Sequence, residues 1–172
     1  MTPRLQQYRL AIAVFGEPDS LWAAIGDLVS KGFKPDQLCL AGQASRMRGL
    51  ARSPAARAEA AALLLADLEG LDIGEAGLVA TSGPLLDALR GDWPGSEPGA
   101  DTSGVWLASD IRARLNREMA DGGVMLVASA LSADQQLRGA RVLLGHACGY
   151  VQTHEFSVPS GRKAAPFDSR DG

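Results

Sequence analysis

One order of signals occurs twice in this chain, and that repetition restricts how it can fold. Near the N-terminus, RLAIAVF (9–15) is a β-type run, followed by a helical stretch with Leu21, Ile25, Leu28 and Val29 at the spacing of one apolar face. Pro18, Asp19 and Ser20 supply a start signal, Gly32 and Pro35 a stop, and a short strand is expected at 37–41. Near the C-terminus the same order returns, with an apolar strand at 124–130, a helix at 133–147 and a strand at 150–158. Ser132 and Gln135 have the spacing of a capping box, in which a hydroxyl and a side-chain amide each satisfy a backbone N–H at the helix start. The halves, 8–42 and 123–158, agree in order and spacing though not in residue identity, and each reads as a β-α-β unit.

The polarity of the strands predicts their places. Leu10, Ile12 and Val14 point to one side of the first strand and Ala11, Ala13 and Phe15 to the other; Val124, Leu126 and Ala128 likewise oppose Met125, Val127 and Leu131. Strands that are apolar on both faces belong in a sheet interior. The last strand carries Thr153, Glu155 and Ser157 on one side, as a half-exposed edge would. The expectation is an α+β fold, a ferredoxin-like pair of β-α-β halves with the first and third strands central and a helical middle insertion at 43–122. The alternative is an α/β doubly wound parallel sheet. It requires a strand at 78–81 and implies a small α/β protein or enzyme that binds a nucleotide-like or phosphorylated ligand at the loops after its strands, near Gly16, Ser82, Gly83 and Ser129, but no G-x-G-x-x-G or G-K-[ST] follows any strand.

Helices on one face alone would leave the other apolar face in water. Either the helices expected at 53–70 and 105–120 cover it, the latter through Leu107, Ile111, Leu115 and Met119, or a second copy does, making a homodimer. Residues 92–104 read as a Gly/Pro/Ser/Asp loop and 159–172 as a flexible, solvated tail, so 1–158 is expected to be a single domain. At 172 residues, such a domain buries roughly 70% of the surface its unfolded chain exposes.

The first strand running through VFGEPDSLWAAIGDLVSKGF, the extended middle, and SDIRARLNREMADGGVMLVASALSADQQLRGARVLLGHACGYVQTHEF together resemble bacterial heat-induced general stress proteins and related domains of unknown function. In those proteins a helix leads into GG and an apolar strand, and two β-α-β halves are paired. The resemblance covers residues 8–42 and 105–158. The family's middle is often a glycine-rich apolar segment, whereas here it is rich in Ala and Leu and bears arginines. The resemblance carries over no catalytic residues. It implies a small, soluble, non-enzymatic binding, regulatory or assembly module linked to the stress response.

Several function classes are disfavoured. No run approaches the 18 or so apolar residues of a membrane helix, and the N-terminus lacks a basic region with a long apolar stretch and cleavage site, so a cytoplasmic location is expected. Cys39 and Cys148 form no C-x-x-C pair, so neither a disulfide framework nor a zinc site is expected, and no motif calls for a cofactor. A net charge of −3 argues against a surface built for nucleic acid.

The remaining site candidates are local. Arg46, Arg48, Arg52 and Arg57 lie in a stretch without acidic residues, expected as a solvated loop and helix start whose arginines pair with the acidic surplus elsewhere; the competing reading is that their guanidinium forks grip a small anionic ligand. Ser82 and Gly83 precede Pro84 at an expected helix start, a second place for an anion. His146 and Cys148 fall at a helix end, where an imidazole caps the dipole. His154 shares a strand face with Tyr150, Gln152, Phe156 and Val158 and reads as a structural histidine. With only two histidines in the chain, and with Asp19, Asp110, Asp121, Asp134 and Glu155 readable as caps or surface charge, no catalytic constellation can be assembled.

Overall fold

Side chains alternate across a strand, so Leu10 and Ile12 face one way and Ala11, Ala13 and Phe15 the other, and all five are buried. This strand, β1 (Leu5–Phe15), lies between two partners in an α+β fold. The computed structural model describes residues 5–52, 64–65, 68–70, 78–81, 85, 109–147 and 151–159. After β1 come α1 (Pro18–Ser30), a 3-10 turn (Pro35–Gln37), β2 (Leu38–Gln43), α2 (Ala44–Ala51), β3 (Leu68–Gly70) and β4 (Leu78–Thr81). α3 (Ser109–Ala120), β5 (Val124–Ala130), α4 (Ala133–His146) and β6 (Val151–Pro159) follow.

The sheet has six strands in the order β3-β4-β2-β5-β1-β6, and every pairing among the described residues is antiparallel. That overturns the doubly wound parallel alternative. Residues 78–81 do form a strand, but it runs antiparallel to β2, with Ala41 opposite Ala80. β2 is therefore interior rather than an edge, and Leu38, Cys39, Leu40 and Ala41, buried on both faces, show why. The expected helix at 53–70 also needs correction, since residues 68–70 are the edge strand β3. The Arg-rich stretch is already helical from Ala44 to Ala51.

Each face of the sheet has its own core. On the first, Ala11, Ala13, Phe15, Leu38, Leu40, Leu126 and Ala128 meet Leu21, Leu28, Phe33, Met47 and Leu143 from the segments carrying α1, α2 and α4. Within α1, Leu21, Ile25 and Leu28 are buried as expected, but Val29 is exposed and Trp22 and Ala24 replace it in the core. On the second face, Leu10, Ile12, Cys39, Ala41, Leu78, Ala80, Met125 and Val127 pack with Leu115 and Met119 of α3, and with Leu85. The middle segment thus supplies a cover for the second face, and the argument that a dimer is needed to cover it loses its premise. Leu131, expected to extend β5, lies beyond it and is exposed.

Two caps fix how α3 and α4 join the sheet. After α3, Gly122 N donates to Met119 O and Gly123 N to Glu118 O, both at 3.0 Å, with Gly122 at φ +93 in the left-handed region. At α4, Gln135 N donates to Ser132 Oγ at 3.1 Å, the expected half of the capping box. The other half is shifted by one residue, because Gln135 Oε1 accepts from Leu131 N at 2.7 Å.

Candidate functional site

The sequence points first to Arg46, Arg48 and Arg52. α2 sets the first two on a helix whose guanidinium groups are drawn to the chain's own backbone. Arg46 Nη2 donates to Gly16 O at 2.7 Å, tying α2 to the turn before α1, and Arg48 Nε donates to Ala44 O at 3.3 Å within its own helix. Arg52, just past α2, is exposed. Ser82, Gly83, Arg57 and Cys148 lie outside the described residues. The arginines brought together by sequence are thus not brought to one described cavity.

The histidines belong to different settings. His146, at the end of α4, does more than cap its helix: its Nε2 lies 2.6 Å from Asp27 Oδ2, linking α4 to α1. His154, on the β6 edge strand, is opposite Leu10 in register, and its Nε2 is 2.9 Å from Gln152 Oε1. Desolvation by burial pushes its pKa below the ordinary 6.5, since a half-buried imidazolium loses hydration. A neutral ring in contact with an amide suits a structural histidine. Among the described residues, no group of three or more His, Cys, Asp and Glu side chains is placed to hold a metal ion.

Behind His154, the α4–sheet junction is held by glutamines. Gln136 Nε2 donates to Leu10 O at 3.0 Å and to His154 O at 3.4 Å, so α4 is fastened across β1 and β6. Gln37 Nε2 donates to Ser129 O at 2.9 Å and reaches Gln135 Oε1 at 3.3 Å, joining the turn before β2 to the end of β5. Gln37, Gln135 and Gln136 are buried, and paired burial of this kind avoids the cost of unsatisfied amides while fixing the helix in position.

Fixing α4 this way determines what it shows to solvent. At 100° per residue, the row of Ala140 and Leu143 turns to the core and the row of Gly139, Val142 and His146 turns toward α1. Leu137 and Leu144 are left on the flank away from α1, beside β6, and are 52% and 58% exposed. Between α4 and the end of α1 is a depression of about 330 Å³ lined by Lys31, Arg138, Arg141 and Val142. Sequence reading missed both features. Arg138 and Arg141 sit three apart on a helix and are separated from Lys31 by a hundred residues of sequence, so no linear motif joins them.

Comparison with protein-family models, with curated proteins and with solved structures returns no match. Among the described residues no helix is long and apolar enough to cross a membrane.

Proposed function

We propose that the chain is a non-enzymatic assembly module of ferredoxin-like type, which acts by joining a second copy of itself along β6. The observation that carries this reading is the β6 edge together with its apolar flank. Free strand edges are templates for pairing, and chains that leave them unused blunt them with lysine, bulges or proline. β6 runs for nine residues in unbroken register with β1, holds no lysine, and has its proline only at the last position. The opposite edge, β3, is three residues long.

A two-fold axis would set β6 against its own copy in antiparallel fashion and bring the exposed Leu137 and Leu144 of each α4 toward their equivalents. Glu155 does not oppose this, because Arg9 Nε lies 3.6 Å and Gln7 Nε2 3.5 Å from its carboxylate, so two bare charges do not meet. The resemblance of the sequence to stress-protein-like chains implies a regulatory or assembly role of the same kind.

Equilibrium sedimentation at high micromolar concentration tests the reading. The expected result is a dimer that becomes a folded monomer when Leu137 and Leu144 are both replaced by glutamate. A monomeric parent chain, or a dimer indifferent to that double substitution, overturns it.

A further inference from the structure

We infer that the depression between α1 and α4 is a binding site for a small phosphoryl-bearing ligand, held by Lys31, Arg138 and Arg141 over an apolar floor at Val142. Three cations gathered around one hollow repel one another, and in a chain of net charge −3 the acidic groups to neutralise them are plentiful. Yet none of the three side chains makes an ion pair or hydrogen bond among the described residues. The nearby acids are otherwise placed: Asp27 is 2.6 Å from His146, and Asp134, one turn before Arg138, is exposed at the start of α4. The backbone carbonyls at the end of α1 are also occupied, since Asp27 O, Leu28 O and Val29 O accept from Lys31 N, Phe33 N and Gly32 N. Among the described residues, then, no acid is paired with any of the three cations, although Asp27 and Asp134 lie one turn before Lys31 and Arg138.

The shape argues for a compact ligand. A hollow of about 330 Å³ is at the lower end of the range for small-molecule sites. Two guanidinium forks three residues apart suit the several oxygens of a phosphoryl group, and Lys31 adds a point charge from the neighbouring helix. No aromatic side chain lines the hollow among the described residues, so recognition falls on the phosphoryl group and on the alkyl stems and Val142 beside it.

The probe is inorganic pyrophosphate, titrated calorimetrically into the full chain at low salt, with Arg141→Gln, Arg138→Gln and, as a control cation outside the hollow, Arg52→Gln. Saturable one-to-one binding is expected, weakened about tenfold or more by either α4 substitution and unchanged by Arg52→Gln. The affinity should fall steeply as salt is raised. Absence of saturable binding up to millimolar probe, or an equal loss in all three variants, overturns the inference. The site does not rest on self-association: the titration reads pyrophosphate binding and the sedimentation reads mass, so the two results fail independently.

Discussion

Consider Gly122 and Gly123, which sit where α3 turns into β5. Gly122 adopts φ +93, which costs a side chain roughly 1–2 kcal/mol, so Gly122→Ala should lower stability by about that much in a urea titration. Gly123 has a different reason: a Cβ there would meet Val14 Cγ1 at 2.6 Å and Glu118 O at 2.8 Å. The second contact is backbone and cannot swing away, so Gly123→Ala is expected to cost about 1–3 kcal/mol, as overpacking does. His154 gives a pH signature with a definite sign. Its folded pKa lies below the unfolded value near 6.5, so the folded state takes up the proton less readily. Its contribution should be constant above that value and lost as pH falls below it, down to the folded pKa. His154→Gln should remove this part of the pH dependence while changing stability at neutral pH by no more than about 1–2 kcal/mol. A variant whose stability keeps the parent's pH dependence just below 6.5 would assign that slope to other groups.

At the scale of elements, α3 is the test piece, because Leu115 and Met119 are buried in the core of the second sheet face. Met119→Ala should destabilise by about 2–5 kcal/mol in denaturant unfolding, the usual cost of a core truncation to alanine, and Ile111→Ala, half-buried at the rim, by less. The α3 pattern of Ile111, Leu115 and Met119 was readable from spacing alone, as were β1, β5, α1, α4 and the half-exposed character of β6. In β1, β5 and α3, and in α1 apart from Val29, the apolar positions that the spacing singles out are buried or half-buried. What escaped was short or non-local. β4 is a four-residue run whose strand character comes from pairing with β2, and β3 comes from an Ala/Leu-rich stretch whose composition favours helix while its pairing with β4 decides otherwise. The arginines nearest in sequence proved to serve the backbone, whereas the cations that share a hollow come from α4 and the end of α1, brought together by the Gln136 and His146 contacts. A site assembled by two packed helices leaves no trace in residue spacing.

Taken whole, the molecule presents two adjoining surfaces on a single helix, an apolar one at Leu137 and Leu144 and a cationic one at Arg138 and Arg141, with Arg141 one turn from both leucines. The strand order carries a further consequence. β1 and β2, though joined by the short α1 segment, do not touch as a pair: β5 lies between them, with Ala13 opposite Leu126 on one side and Leu40 opposite Leu126 on the other. During synthesis the first half therefore waits with an empty slot until residue 124 and beyond have left the ribosome, while both apolar faces of β1 are already made. Non-local pairing of this kind is slow and leaves surface exposed to aggregation in the interval. A nascent chain arrested before β5 should thus bind hydrophobic dye and holding chaperones strongly, and release them once β5 enters the slot.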